Sequence, residues 1–226
     1  MAFGQGNTTQ FHSGGGSDAT THTSQSHTLG TDADVLYVYF AIEADGANRL
    51  PATASYGGQT LNRIDTTHTR QAHQTEGAWY VLYNPSGNNT VVIVLSSGPR
   101  WGGGAIIDYV AGTQTTPDDD EDLGGAGAKT LTSNITIADN GNHALVGYCC
   151  EIDENITWSG SATEIYAFSM NSAWRLEVVY EVFATTGAKT IVGTTVTGSG
   201  RTSGAIEVRD NAPAGGPTFT PIIMAY

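Results

Sequence analysis

The sequence predicts an all-β protein built as a single antiparallel β-sandwich, and three observations lead to this prediction. Glycine occupies 29 of the 226 positions, nearly twice its usual share of about 7%. Residues that favour helices are scarce, and lysine occurs only at Lys129 and Lys189. Short β-branched and aromatic segments recur at the spacing typical of sandwiches. We expect no helix of three turns.

The first half of the chain contains the most apolar segment. Residues 35–42 are apolar at every position and mostly β-branched or aromatic, which predicts a central strand buried on both faces. Gly57-Gly58 predicts a tight hairpin turn, because glycine tolerates positive φ. Residues 84–89, with proline, glycine and asparagine, predict a second turn. Further strands are predicted here at residues 52–56, 59–64, 78–83, 90–96 and 104–110.

The second half repeats this pattern of short strands. Residues 131–137 alternate apolar and polar side chains, as expected for a half-buried strand. The alternation is clearest over residues 174–183, where Trp174, Leu176 and Val178 share one face. Further strands are predicted at residues 143–150, 190–197 and 204–209. Cys149 and Cys150 are adjacent, so on a strand they point to opposite faces and do not pair with each other.

Two segments flank this region and define the predicted organisation: an N-terminal arm (1–28), a β-sandwich domain (29–210) and a C-terminal tail strand (211–226). The arm has few apolar residues, so it is either flexible or a strap that orders against a partner. The tail ends in an apolar stretch that docks on its own sandwich or on a neighbour's sheet edge. The candidate assembly contacts are Phe3, Phe11, Phe219, Ile222, Ile223 and Tyr226.

Charge and hydropathy exclude two kinds of partner. The formal net charge is −13, from 22 acidic and 9 basic residues, which argues against nucleic acid because phosphate binding needs clustered Lys and Arg. The purest apolar run, residues 91–95, is far shorter than the ~20 residues that span a membrane.

The first residues of the sequence have neither the cationic nor the apolar part of a signal peptide. A virion protein, made in the host cytoplasm and released by lysis, fits these properties.

The acidic run at residues 118–122 is the one candidate metal site. Ca²⁺ prefers six to eight oxygen ligands, which makes Asp118, Asp119, Asp120 and Asp122 candidate calcium ligands. The spacing of an EF-hand is absent, and a solvated loop after Pro117 is the alternative. No other cofactor is expected.

No motif indicates an enzyme. The glycine-flanked serines lie in predicted loops and lack the strand–turn–helix context of a nucleophile elbow. Glu151 and Asp153 share a strand face, but they are expected to be solvent-facing acids. Among the tryptophans, Trp101 and Trp158 lie in predicted loops beside small residues, where an indole ring can stack on a sugar. They are the candidate glycan contacts.

Four stretches of sequence, taken in order, resemble a known module. They read SHTLG (26–30), ASYGGQTLNR (54–63), AWYVLYNPSG (78–87) and YVAGTQTTP (109–117). Together they resemble a β-sandwich module of bacterial surface and secreted proteins and of tailed-phage virion structural proteins, over about residues 26–210. The resemblance implies a jelly-roll-like sandwich without known enzymatic activity. The chain departs from the pattern at residues 111–114, where the family more often has Gly-Val-Asp-Gln.

The resulting expectation is a non-enzymatic structural protein on the virion surface: a capsid decoration or cement protein, a turret or a fibre-like subunit. Its partners would be other copies of itself, with a trimer as one closed arrangement, and other virion proteins. The alternative is a carbohydrate-binding or adhesive module of a cell-surface protein or an extracellular filament. Its partners would be surface glycans.

Overall fold

The computed structural model describes residues 4–12, 19–43, 49–50, 53–64, 69–71, 75–110, 112–113, 119–124, 128–139, 141–170 and 174–210, and only the backbone of residues 11–12, 69–71, 112–113, 119–124, 170 and 210. All regular secondary structure in these ranges is β-strand, and the strands pair antiparallel throughout. The all-β, sandwich-type fold class predicted from the sequence is confirmed.

Ten strands form the first half of the chain. They are β1 (Gly4–His12), β2 (Thr21–Thr23), β3 (Ala33–Glu43), β4 (Thr53–Tyr56), β5 (Gln59–Thr60), β6 (Asn62–Arg63), β7 (Thr69–Gln71), β8 (Thr75–Tyr83), β9 (Val91–Val94) and β10 (Gly102–Val110). One sheet, the first inner sheet, has the order β1-β10-β3-β8-β6, with β7 also on β8. The first outer sheet has the order β2-β9-β4-β5.

Nine strands form the second half. They are β11 (Gly112–Thr113), β12 (Asp119–Gly124), β13 (Thr130–Ile137), β14 (His143–Cys150), β15 (Thr157–Trp158), β16 (Thr163–Met170), β17 (Trp174–Val182), β18 (Gly187–Thr194) and β19 (Arg201–Asp210). The second inner sheet has the order β11-β19-β14-β17-β16, with β12 also on β19. The second outer sheet has the order β13-β18-β15.

The two halves share one strand order, which is that of a jelly roll. If the short strands β6 and β7 are left aside, the first half pairs its strands 1-8-3-6 in one sheet and 2-7-4-5 in the other. In the second half, counted from β12, the corresponding orders are 1-8-3-6 and 2-7-4, and its fifth strand, β16, pairs with β17 instead. Two sheets linked in this way are the jelly-roll arrangement. The chain therefore contains two jelly-roll sheet pairs in tandem.

The four sheets stack in layers, with the two inner sheets face to face. One apolar cluster joins the inner sheets and includes Tyr37 and Tyr39 of β3 together with Leu176 and Val178 of β17. A second cluster lies between the first inner and first outer sheets. Two further clusters lie between the second inner and second outer sheets. Each inner sheet is thus covered on both faces.

Strand β3 shows why the sequence produces this stack. Its side chains alternate between the two faces of the sheet. Those of Tyr37 and Tyr39 enter the cluster between the inner sheets, and those of Val38 and Phe40 enter the cluster under the first outer sheet. All eight residues from Val35 to Ile42 are 0% exposed. The predicted central strand, buried on both faces, is confirmed.

Close contacts lock the two inner sheets together. The indole Nε1 of Trp79 donates a hydrogen bond to the backbone oxygen of Gly204 on the opposite sheet, at 2.7 Å. The ring of Tyr39 lies over Gly147, where an added Cβ would be 2.2 Å from the ring atom Cδ2. Because interiors are close-packed, the absence of a side chain at Gly147 is what lets the sheets approach at this point.

The N-terminal segment differs from its prediction. Residues 1–28 were expected to be flexible or to order against a partner, but β1 pairs with β10 of the same chain from Gly4 to His12, and β2 pairs with β9. The physical reason is that backbone hydrogen bonds hold an edge strand without an apolar sequence pattern. Phe11 lies in β1 opposite Gly104. Phe3, Phe219, Ile222, Ile223 and Tyr226 lie outside the described residues.

The cysteines behave as predicted. Cys149 packs between the inner sheets and Cys150 packs under the second outer sheet, and both are free thiols. Burial raises the pKa of both thiols, that of Cys150 to about 11. Because the thiolate is the reactive form, neither residue is a nucleophile at neutral pH.

His22 makes the stability of the first outer sheet sensitive to acid. The side chain is 1% exposed beside Phe40, and neither ring nitrogen makes a hydrogen bond of good geometry. Burial lowers its pKa to about 4, and the backbone of Ala19 opposes part of this effect. The unfolded chain therefore binds more protons between pH 6.5 and 4, so acid favours unfolding in this window.

We expect the His22→Leu variant to lose less stability than the wild type as the pH falls. Since one pKa unit corresponds to about 1.4 kcal/mol, His22 accounts for about 2–3 kcal/mol of the loss between pH 6.5 and 4. Urea unfolding at pH 8, 6 and 4.5 measures this difference. Parallel pH profiles for the two proteins would show that His22 is not the group responsible.

Candidate functional site

A buried carboxylate on the last strand of the first half is the centre of the candidate site. Asp108 follows Ile106 and Ile107 in β10 and is 0% exposed. An ionised carboxylate in such a position needs hydrogen bonds to replace its water. The protein supplies three of them, from Asn7 N (2.9 Å), Gly30 N (2.7 Å) and the Nε2 of His27 (3.1 Å).

These donors come from separate parts of the chain. Asn7 lies on β1, and His27 and Gly30 both lie in the connection between β2 and β3. The other ring nitrogen of His27, Nδ1, lies 2.9 Å from the hydroxyl of Thr9 on β1. We call the set Asn7, Thr9, His27, Gly30 and Asp108 the N-terminal clasp, because it ties β1 and the strand 2–3 connection to β10.

The clasp requires glycine where β1 crosses the carboxylate. A Cβ added at Gly6 would lie 1.7 Å from Asp108 Oδ1, and one at Gly30 would lie 3.0 Å from the same atom. A larger residue at position 6 would push β1 off Asp108. A strand that binds to Asp108 in this way must therefore have glycine at the position of Gly6.

Thr9, His27 and Asp108 have the hydroxyl–imidazole–carboxylate connectivity of a hydrolytic triad. With Nε2 donating to the carboxylate, Nδ1 accepts the proton of the Thr9 hydroxyl. In a hydrolase the imidazole passes that proton to a leaving group, so it must reach the substrate. The side chain of His27 is 0% exposed and both ring nitrogens are engaged. In this structure the contacts of the three groups join β1 and the connection before β3 to β10.

The second half contains an equivalent anchor. Glu207 lies on β19, the last strand of its half, and accepts hydrogen bonds from Ala138 N (2.7 Å) and Asn142 Nδ2 (2.6 Å). Those donors belong to the connection between β13 and β14, which is again the strand 2–3 connection. In each half, therefore, a buried acid on the last strand (β10 or β19) fixes the connection between the second and third strands.

A further pair of acids binds residues in or just before the fourth strand of each half, which is β4 in the first half and β15 in the second. In the first half, Glu76 accepts from the backbone amides of Arg49 and Leu50. In the second half, Glu177 accepts from Ile156 N at 3.2 Å and from Trp158 Nε1 at 2.9 Å. Burial is the largest influence on Glu177 and raises its pKa, while these hydrogen bonds oppose the shift. The recurrence of both anchors supports the internal repeat.

The two candidate glycan tryptophans lie in different environments. Trp158 is half-buried, with its indole nitrogen bound to Glu177 and its ring edge-on to Tyr148 at 5.7 Å between centroids. It is part of the packing under the second outer sheet. Trp101 is half-buried just before β10, and its backbone oxygen accepts from Glu43 N. The two do not form one platform, because they lie in opposite halves of the stack.

Residues 119–122 of the acidic run lie in β12 and not in a loop. Residues 119–124 pair with β19, so Asp120 and Asp122 are opposite Ala205 and Ser203. Asp118 and the side chains of the run are outside the described residues, and calcium binding stays a prediction. Among the described side chains, no group of three or more His, Cys, Asp or Glu is placed to hold a metal ion.

Sequence reasoning missed the clasp, although a signal was present. An aspartate inside an otherwise apolar strand segment, as in Ile106-Ile107-Asp108-Tyr109, indicates a buried carboxylate that needs donors. The identity of those donors could not be predicted from the sequence, because Asn7 and His27 are distant in sequence from Asp108.

Over the described residues, no helix could cross a membrane.

Comparison with known proteins identifies no relative that defines a function. No sequence family and no curated protein matches the chain. One similar solved structure is a β-porphyranase of glycoside hydrolase family 86 from the human gut bacterium Bacteroides plebeius. It is 12% identical, and the match covers 85% of this chain and 36% of that chain, with a TM-score of 0.27. A similarity this low supports no argument about fold or activity.

Proposed function

We propose that the chain is a non-enzymatic structural subunit of a virus particle, exposed on the virion surface as a decoration or cement protein, a turret or a fibre-like subunit. The observation that favours a structural role is the use of the buried ionisable groups. Asp108, Glu207, Glu76 and Glu177 all accept hydrogen bonds from connecting segments. Buried carboxyl groups that accept such hydrogen bonds hold the connecting segments in place, and they are not exposed to a substrate.

Two further properties favour a particle surface. The tandem jelly-roll pairs form a four-layer body whose inner sheets are covered on both faces. The net charge of −13, with few lysines, keeps copies of the protein soluble and mutually repelling outside specific contacts. The resemblance set out above includes tailed-phage virion structural proteins, which supports this proposal, and it includes bacterial surface proteins, which are the alternative.

Gold-labelled antibodies against the full chain test this proposal on virus particles released from the source culture. We expect label at regular positions on intact particles, viewed by negative-stain electron microscopy. Pre-immune serum on the same grids is the control. Label confined to cell envelopes, with bare particles, would contradict the proposal and favour the cell-surface alternative.

A further inference from the structure

We propose that β1 is an exchangeable strand: residues Gly4–His12 of one copy dock on β10 and the clasp of a second copy. This inference deepens the assembly role proposed above, since it names the element that joins neighbouring subunits. It is argued from how β1 is held, from what its docking site recognises and from the reach of the connecting segment.

The first step is that the described side chains of β1, those of residues 4–10, provide no apolar anchor. Of its described side chains, Gln5, Thr8 and Thr9 are half-buried, and Asn7 and Gln10 are exposed. None of those side chains belongs to any of the four apolar clusters. Apolar burial gives about 25 cal/mol per Å², so releasing these side chains forfeits little of that contribution.

The second step is that the docking site recognises β1 by directional contacts. The ladder to β10 runs from the Gly4–Val110 pair to the His12–Gly103 pair, with one irregularity between Gln5 and Thr8. Asp108 and His27 add side-chain contacts to Asn7 N and the Thr9 hydroxyl. None of these contacts depends on covalent continuity with β1, so the same strand from a second copy satisfies them equally.

The third step is that the rest of the N-terminal segment stays anchored when β1 leaves. Ala19 pairs with Arg100, and β2 pairs with β9. Six residues, 13–18, lie between β1 and Ala19, and they can span at most about 20 Å. Exchange is therefore restricted to a copy lying alongside, which is the condition within a closed assembly.

A cross-linking experiment between two full-length variants tests the exchange. One carries Gly4→Cys and an affinity tag, and the other carries Val110→Cys. Gly4 and Val110 are register partners, and a Cβ at Gly4 meets nothing within 4 Å. Paired antiparallel residues are at the Cα spacing that a disulfide needs. Since each variant holds one of the two new cysteines, a disulfide that joins positions 4 and 110 forms only between copies.

The matched control uses the β13–β18 pair. Thr136→Cys and Ala188→Cys are exposed register partners in a ladder that we expect to stay within one chain. After mixing and mild oxidation, we expect the 4/110 heterodimer to exceed the 136/188 heterodimer roughly tenfold or more, because docking raises the effective concentration. Adding Gly6→Val to the Gly4→Cys chain should remove that excess.

The outcomes separate this inference from the proposed function. Equal yields of the two heterodimers would overturn strand exchange. If light scattering then shows the wild type as an oligomer, assembly stands and uses another contact. If it shows a monomer, both strand exchange and self-assembly fail. A 4/110 excess that survives Gly6→Val would overturn recognition by the clasp.

Discussion

The Gly147→Ala variant is expected to lose about 3 kcal/mol of unfolding free energy. The new methyl group would lie 2.2 Å from Cδ2 of Tyr39, a side chain that is 0% exposed between the two inner sheets. Tyr39 also packs against Trp79, with 5.2 Å between ring centroids, and its hydroxyl lies close to Gly77, so the ring has little room to move. Overpacking of this kind costs about 1–3 kcal/mol, and rigid surroundings favour the upper end. Urea unfolding followed by tryptophan fluorescence measures the change.

Gly4→Ala is the matched control, because a Cβ there meets nothing within 4 Å. Its stability should stay within about 0.5 kcal/mol of the wild type. Tyr39→Leu combined with Gly147→Ala should show favourable coupling, since the smaller side chain vacates the space. Tyr39→Phe should give no such relief, because the clash involves the ring and not the hydroxyl. A Gly147→Ala protein as stable as the Gly4→Ala protein would contradict the inferred contact between the sheets.

The Asp108→Ala variant is expected to lose about 3–5 kcal/mol, the usual effect of removing one partner from a buried charged contact. It leaves the amides of Asn7 and Gly30 and the Nε2 of His27 without their acceptor. Hydrogen exchange should accelerate at the β1 amides more than at those of β14. Equilibrium unfolding and exchange mass spectrometry measure the two effects.

Glu164→Ala is the control for loss of an acidic side chain, because Glu164 is exposed on β16. It should change stability by no more than about 0.5 kcal/mol. If Asp108→Ala behaved like Glu164→Ala, the clasp would not hold the N-terminal strand. If stability fell while the β1 amides kept their protection, Asp108 would act on the strand 2–3 connection alone.

The two predictions probe different levels of the fold. Gly147 lies where the first and second halves meet, so its substitution tests whether the tandem sheet pairs act as one body. Asp108 lies within the first half, so its substitution tests how one strand is held there. The proposed strand exchange depends on how Asp108 holds β1, since a clasp that binds β1 of its own chain tightly binds β1 of a second copy equally well.

Side-chain pattern made many of the strands predictable. The unbroken apolar run of β3 and the alternation of β13 and β17 indicate strands because side chains alternate across a sheet. The Gly57-Gly58 turn was predictable from another local property, the tolerance of glycine for positive φ. Both glycines have positive φ, 54° and 85°. Asn84 and Gly87, in the other predicted turn, also have positive φ. These features depend on residues close together in the sequence.

Other strands were not predictable in this way. β1 lies at a sheet edge, where main-chain pairing on one side is enough to hold a polar strand. In β16, which packs Ile165, Tyr166 and Phe168 against the core, the pairing is irregular between Glu164 and Tyr166, so the side chains do not alternate simply. Glu177 and Glu181 lie on the face of β17 opposite Leu176 and Val178, and that face, which also carries Val179, is covered by the second outer sheet. Whether a polar strand face meets water or a further layer depends on elements far away in the chain.

By itself, the sequence determined that this protein is all-β, where its central strands lie and where its tight turns fall, because each depends on local side-chain periodicity and backbone preference. The tertiary structure alone decided that two jelly-roll sheet pairs stack in four layers and that Asp108 gathers Asn7, His27 and Gly30 around itself. The reason is physical: backbone pairing and buried hydrogen bonds join residues that are up to 125 positions apart, and neither leaves a periodic pattern in the sequence.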